Sequence, residues 1–279
     1  MMNSSGRITK AVIPIAGLGT RLRPITSAVP KALLPVPGPN GQPIAVLHHI
    51  LLEAAAGGIE SAAVVISPAH ERMIADYLEC AHESGRIPRV ELIHQASPAG
   101  FGDAVSLARA FVGNDAFAVF LGDHVYAPTG RASAFAALGD AYITHKPEAL
   151  VGVQQINADA LGLVGVCGAQ AYGPELYRCT RVVEKPDLDT ARELDTPFPG
   201  DRWFAHCGMY VFSPLIFDML EKARPASGEL MLSDAQILLL RHAPDAYLLS
   251  EITKRAYDAG TGAGYLRAFE ALQTSRDER

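Results

Sequence analysis

Two glycines, an arginine and a lysine near the start of the chain have the types and spacing to hold phosphate. Gly17-Leu18-Gly19-Thr20-Arg21-Leu22-Arg23-Pro24 follows the apolar run Ala11–Ala16, and Pro30-Lys31-Ala32-Leu33-Leu34-Pro35 comes shortly after. Glycines directly after a strand let backbone N–H groups approach phosphate oxygens with no Cβ in the way. Arg21 and Lys31 add positive charge beside them. A dinucleotide-binding fingerprint would need a third glycine where Leu22 stands, and a Walker loop would need Gly-Lys-Ser/Thr, which is absent. A bare Gly-x-Gly is more often a tight turn than a site. The longer string with its two cations is far more specific.

Carboxylates suited to a divalent cation lie much further along. Asp123 follows the apolar run Ala116–Leu121 and Gly122. In an open α/β sheet the carboxyl ends of strands face the ligand crevice, and a carboxylate there is placed to hold Mg²⁺, which takes oxygen ligands. Taken alone, Asp123 is equally a cap or turn residue, and Asp258, in Tyr257-Asp258-Ala259-Gly260, is more often a turn residue. Lys185, in Glu184-Lys185-Pro186, alone reads as a solvated surface lysine. Gln95 offers a base edge both donor and acceptor, though by itself it is a polar residue at a strand end. Glu184 and Glu229 have the acceptor chemistry for sugar hydroxyls, as any exposed glutamate does. His70, His94, His124 and His206 show no metal-ligand spacing and read as core or surface residues; Trp203 has no reading from sequence.

The elements that must position these residues alternate through the first half. Ala11–Ala16, Ala62–Ile66, Val90–Ile93 and Ala116–Leu121 read as strands. Ala45–Ala56, stopped by Gly57-Gly58, and Ala69–Cys80 and Asp103–Phe111 read as helices. This order predicts a parallel, three-layer α/β sheet. In the second half Ala149–Val153, Val164–Cys167, Arg181–Val183 and Met209–Phe212 read as strands without helices between them, hence antiparallel additions. Pro214–Lys222, Ser233–His242 and Gly264–Leu272 read as helices, Pro186–Arg202 as a surface loop, and the tail from Thr274 as frayed. The fold class expected is therefore α/β, a three-layer, Rossmann-like mixed sheet. It would be a single domain over residues 1–279, with a nucleotide-binding half (1–130) and a sugar-phosphate-binding half (131–279).

Composition excludes several classes. With 49% hydrophobic residues the 279-residue chain can bury a substantial core, and 19% charged residues is low for disorder. A net charge of −6 does not suit a coat for a polyanion, so nucleic acid is not an expected partner. The four cysteines have no paired or zinc-like spacing, and the polar start Met1–Lys10 has no apolar core of a signal. Both fit reduced thiols in the cytoplasm. No apolar stretch is long enough to span a membrane.

In the order of these motifs the chain resembles the sugar-phosphate nucleotidyltransferase family, which opens with a strand, G-x-G-T-R-x-x-P and P-K-x-x-L-P. Gln95–Val105 resembles its base-recognition segment and Leu121-Gly122-Asp123 its first metal site. Val183-Glu184-Lys185-Pro186 resembles its sugar-phosphate site, Gly228–Asp234 its sugar-side loop, and Tyr257–Thr261 its second metal site. The resemblance implies nucleotide binding by Ala16, Gly17, Gly19, Thr20, Gln95, Gly100 and Gly122, and sugar-phosphate binding by Glu184, Lys185, Gly208 and Glu229. It implies Mg²⁺ on Asp123 and Asp258, with Arg21, Lys31 and Lys185 as the catalytic cations. The reaction implied is attack of a sugar 1-phosphate on the α-phosphorus of a nucleoside triphosphate, with no protein nucleophile. Ile13–Gly19, Ala28–Lys31, Phe101–Val105 and Gly260 with Gly264-Tyr265-Leu266 are most similar to the uridylyltransferase branch acting on glucose 1-phosphate. Leu121-Gly122-Asp123 is more similar to the thymidylyltransferase branch, which would use dTTP in place of UTP. Ala32-Leu33 and the longer Pro37–Pro43 segment also depart from the uridylyl pattern. A non-catalytic nucleotide-sugar sensor is disfavoured because both metal carboxylates are kept. The resemblance also implies a homo-oligomer.

Overall fold

The structure is a computed structural model that describes residues 7–82, 86–126, 133–225, 228–253 and 255–277. Among these the strands are β1 (Lys10–Pro14), β2 (Pro35–Pro37), β3 (Pro43–Ala45), β4 (Ser61–Ile66), β5 (Arg89–His94), β6 (Phe117–Phe120), β7 (His124–Tyr126), β8 (Ala149–Asn157), β9 (Gly165–Gly173), β10 (Leu176–Glu184), β11 (Arg202–Phe212), β12 (Tyr247–Glu251) and β13 (Ala256–Asp258). The helices are α1 (Val46–Ala56), α2 (Glu71–His82), α3 (Phe101–Ser106), α4 (Arg109–Val112), α5 (Ala134–His145), α6 (Leu188–Arg192), α7 (Leu215–Lys222), α8 (Leu232–His242) and α9 (Gly262–Asp277).

One nine-stranded sheet, in the order β5-β4-β1-β6-β11-β8-β12-β10-β9, runs through the molecule. β5, β4, β1 and β6 are mutually parallel; β11 is antiparallel to both β6 and β8. β1, β4 and β6 are buried on both faces, which is why they read in the sequence as unbroken apolar runs, whereas β5 lies at the sheet edge and is partly exposed. Period-two alternation still sorts their side chains. Ala11, Ile13, Val64, Ala118 and Phe120 face a core shared with α1, α2, α5 and α9. Val12, Ala63, Val65, Phe117 and Val119 face a second core built with α3, α4, α7 and α8. The result is the expected three-layer mixed α/β sheet with antiparallel additions.

Helix α1 shows how local sequence makes the layer. Val46, Leu47, Ile50, Leu51 and Ala54 fall on one buried face, and the helix stops at Gly57, where a Cβ would lie 2.5 Å from the Phe135 ring. Phe135 also packs against Phe120 of β6, with ring centroids 5.1 Å apart, so α1, α5 and the sheet lock together at one point.

Four features differ from the sequence reading. The helix expected over 103–111 is two short ones, α3 and α4, divided at Leu107-Ala108. The segment 186–202 is not all loop, because Asp187 caps α6 by accepting from the Thr190 N–H at 2.8 Å. α9 continues through Thr274 to Asp277, leaving only 278–279 outside the described residues. Helix α5 and the strands β2, β3, β7, β12 and β13 had no sequence assignment; the Pro37–Pro43 segment is the turn between β2 and β3. Trp203 sits in a small third core with Val166, Ala191 and Leu194. No helix of the described residues is long and apolar enough to cross a membrane.

Because Phe120 is fully buried at the α5–sheet junction, Phe120→Ala should destabilise the protein by about 3–5 kcal/mol. Urea unfolding of the two proteins measures this directly, and a loss below ~1 kcal/mol would contradict the packing described.

Candidate active site

The chain leaves β1 towards β4 and later returns to β6 on the other side of β1. The connections after these two neighbours therefore diverge, and a crevice opens at the carboxyl ends of the strands. Gly122 makes the crossing possible: a methyl there would lie 2.3 Å from Ile15 Cγ2 and 2.5 Å from the Pro14 carbonyl oxygen. The loop after β1 enters a 3₁₀ turn, Thr20–Leu22, through Gly19 in the left-handed region (φ 62°), which glycine adopts without strain.

This crevice is a cavity of about 440 Å³. Ala16, Gly17, Thr20 and Arg21 line one wall, and Lys31, Gly122 and Asp123 the floor. Gln95, Gly100 and Glu229 are also part of the lining. Gly100 (φ 112°) is forced by a neighbouring segment: a Cβ would lie 2.3 Å from the Leu230 carbonyl oxygen. Two hydrogen bonds, Leu230 N–H to Ala99 O and Gly102 N–H to Leu230 O, both 2.8 Å, close the Gly228–Asp234 loop onto the Gln95 segment. The Gln95 amide donates to Gly100 O at 3.0 Å and to Asp103 Oδ2 at 2.7 Å. A carboxylate only accepts, so Asp103 fixes the amide's orientation and leaves the Gln95 carbonyl oxygen to present to a ligand.

A second cavity of about 250 Å³ adjoins the first, and Arg21, Phe101, Leu121, Asp123 and Met231 line both. Its wall includes His124, Asp258, Gly165, Glu184, Lys185 and His206. Lys185 closes β10 with a left-handed backbone (φ 46°), and its N–H donates to Val164 O at 3.2 Å. A non-glycine residue held there costs of order 1 kcal/mol, which makes its placement on this wall a constrained feature.

Asp123 stands where the cavities meet. Lys31 Nζ donates to its Oδ2 at 2.7 Å, and His124 Nδ1 lies 3.1 Å from its Oδ1. Burial by itself would raise this carboxyl, but the Lys31 ammonium and the His124 ring outweigh it and hold the group well below the usual carboxylate range. Asp258 arrives from the far end of the chain through the β7–β13 pairing, which sets it opposite His124. The Ala259 N–H then donates to Asp123 O at 2.7 Å, and the Gly260 N–H to Asp258 Oδ1 at 2.6 Å. One ligand atom from each of Asp123, His124 and Asp258 lies within 4.8 Å of the others. Gly260 leaves this space open, since a methyl there would lie 2.5 Å from Asp123 Oδ2 and 2.8 Å from Asp258 Oδ1. Two hard oxygen donors around an open gap suit a divalent cation.

The structure thus brings Ala16, Gly17, Thr20, Arg21, Lys31, Gln95, Gly100, Gly122, Asp123, Asp258, Glu184 and Lys185 onto one continuous cleft. Glu229 lines the first cavity and not the second, apart from the lysine it was expected to accompany. Gly19 and Gly208 are not among the residues lining either cavity. Gly208 (φ 86°) makes room for His124, whose Cγ would be 2.9 Å from a Cβ there. His124 and His206, read from sequence as core or surface residues, both line the second cavity. For His124 the available signal was its place directly after Asp123; for His206 there was none.

The chain belongs to the nucleotidyl transferase family, whose model matches residues 10–275. Among its relatives is a UTP–glucose-1-phosphate uridylyltransferase of Staphylococcus saprophyticus, 31% identical, the match covering 94% of this chain and 91% of the relative. Another of that name, from Bacillus subtilis, is 30% identical, covering 98% and 92%. The fold superposes on a solved UDP-glucose pyrophosphorylase complexed with UDP-glucose, with a TM-score of 0.81 at 24% identity, over 98% of this chain and all of that one.

Gly260→Ala should weaken binding of a divalent cation tenfold or more, about 1.4 kcal/mol, because the added methyl occupies the gap between the carboxylates. Calorimetric titration with Mn²⁺ measures this, with circular dichroism as the control for folding. Unchanged affinity would show that the cation does not sit there.

Proposed function

We propose that this enzyme transfers the uridylyl group of UTP to glucose 1-phosphate, giving UDP-glucose and pyrophosphate, and that the cleft just described is where it does so. The observation that carries the site assignment is the position of Asp123: it lines both cavities, so ligands in the two would meet over it. The first cavity, with its glycine loop and base-edge acceptor, suits a nucleoside triphosphate. The second, with Lys185 and Glu184, suits a sugar 1-phosphate. The full-length match to relatives named UTP–glucose-1-phosphate uridylyltransferase supports UTP and glucose 1-phosphate over the dTTP alternative.

Two phosphate anions must be brought together, and each pair of unit charges at 4 Å repels by about 4 kcal/mol at an effective dielectric of 20. Arg21, on the wall of both cavities, and Lys31 offset the triphosphate's charge; Lys185 orients the sugar phosphate. Asp123 and Asp258 would hold a divalent cation, Mg²⁺ in this proposal, which would supply further neutralisation of phosphate charge. The Gln95 carbonyl oxygen accepts from the N3–H of the uracil ring. Catalysis is positioning and electrostatics: the sugar phosphate oxygen attacks the α-phosphorus in line and pyrophosphate departs on the opposite side.

Three buried free thiols, Cys167, Cys179 and Cys207, support a reducing, cytoplasmic setting. Leu266 and Phe269, exposed on one face of α9, support a homo-oligomer.

Pyrophosphate release measured across UTP, dTTP, ATP, CTP and GTP with glucose 1-phosphate tests the substrate. UTP should be used best, and clear preference for dTTP would overturn that assignment while leaving the chemistry standing. In the same assay Lys185→Ala should harm the sugar phosphate and Arg21→Ala the triphosphate. Each loss should be about tenfold or more in kcat/KM, the worth of one charged hydrogen bond. If Lys185→Ala left glucose 1-phosphate kinetics untouched, the second cavity would not be the acceptor site.

A further inference from the structure

The second cavity contains a residue that the reaction as described leaves without a role. His206 lies on β11, at the point where the pairing with β8 shifts register between His206 and Tyr210. Its ring reaches the cavity wall beside Gly165, the residue that starts the neighbouring strand β9. Its Nε2 is 3.1 Å from Cys167 Sγ. A hydrogen bond with Cys179, together with burial, pushes the Cys167 thiol well above its ordinary range, so the sulfur keeps its proton. In the ring tautomer with Nε2 bare, this S–H donates to Nε2, an imidazole nitrogen being a stronger acceptor than a neighbouring sulfur. The other ring nitrogen, Nδ1, then carries the hydrogen. Burial lowers the imidazole to about 4, so the ring is neutral at physiological pH.

Nδ1 and a carboxylate oxygen bound the same small space. A methyl built on Gly165 would lie 3.1 Å from His206 Nδ1 and 3.3 Å from Glu184 Oε2. The gap that this glycine leaves is therefore flanked by one neutral donor and one acceptor. A hydroxyl, which accepts and donates at once, satisfies both; a carbonyl or an ether oxygen would leave the carboxylate unanswered. An uncharged donor also does not compete with Lys185 for the phosphate.

We propose that His206 is a specificity-determining residue: its Nδ1–H and Glu184 Oε2 together hold one hydroxyl of the sugar, in the space kept open by Gly165. This rests on the reading of the second cavity as the sugar 1-phosphate site.

The test is kcat/KM for glucose 1-phosphate and for its 2-, 3-, 4- and 6-deoxy analogues, in the wild type, His206→Leu and His206→Asn. In the wild type one analogue should be penalised about tenfold to a hundredfold relative to glucose 1-phosphate. In His206→Leu, glucose 1-phosphate itself should fall and the penalty on that one analogue should shrink to about threefold or less, while KM for UTP holds. His206→Asn keeps a donor near the Nδ1 position and should restore much of the discrimination. A uniform loss across all analogues, or no change in any, would overturn the proposal. Should His206→Leu fail to fold, Gly165→Ala decides: it should raise KM for the sugar phosphate without changing KM for UTP, and an unchanged sugar KM would overturn the proposal too. Wild-type protein that releases pyrophosphate with no sugar 1-phosphate tested would instead overturn the reading beneath it.

Discussion

The site depends on holding two carboxylates, Asp123 and Asp258, beside each other in a partly buried cleft. Like charges that close repel, and burial adds a desolvation cost to each. The protein meets this with Lys31 at 2.7 Å and His124 at 3.1 Å from Asp123, and with the Gly260 N–H at 2.6 Å from Asp258. With Lys31 so placed, the lysine expected to serve the triphosphate is also the partner that keeps Asp123 ionised. A substrate phosphate approaching Lys31 therefore approaches the carboxylates as well. A phosphate and a cation bound there would share one charge network, whose parts cannot be altered independently.

That network in turn dictates features far from it. Asp258 can reach Asp123 only because β13 pairs with β7, a two-stranded ribbon separate from the main sheet. The ribbon's close passage explains the glycines around it. Gly264 is as constrained as Gly260, since a Cβ there would lie 1.9 Å from the Asp258 carbonyl oxygen. Gly122 lets the end of β6 cross the end of β1. The parallel core supplies the crevice, and the ribbon supplies its second carboxylate.

Much of this was legible in the sequence because strong local signals and function coincide in the first half. The apolar runs of β1, β4 and β6 are long enough to announce a buried parallel sheet, and the glycine string and Asp123 sit directly at strand ends. Legibility failed where tertiary contacts override local pattern. β7 and β13 are three residues each, and only their mutual pairing makes them strands. β12, with Tyr247 and Leu249 on one core and Leu248 on the other, is buried by its neighbours β8 and β10. His206 could not be read as a cavity residue because its exposure follows from a register shift in β11 and from the missing Cβ of Gly165, neither of which leaves a periodic mark. Glu229, whose motif points to the sugar, lines the first cavity, where the loop carrying it folds onto the Gln95 segment through contacts that leave no mark in the local sequence.

The central claim is that the two substrates face each other across Asp123 and react in one direct displacement, with no side chain taking the uridylyl group. The stereochemistry at the α-phosphorus reports on this most directly. Turnover of a single diastereomer of UTP carrying sulfur on the α-phosphorus, with glucose 1-phosphate as acceptor, should give UDP-glucose of inverted configuration at that atom. Retention would mean two successive displacements through a covalent enzyme intermediate, and would contradict the account.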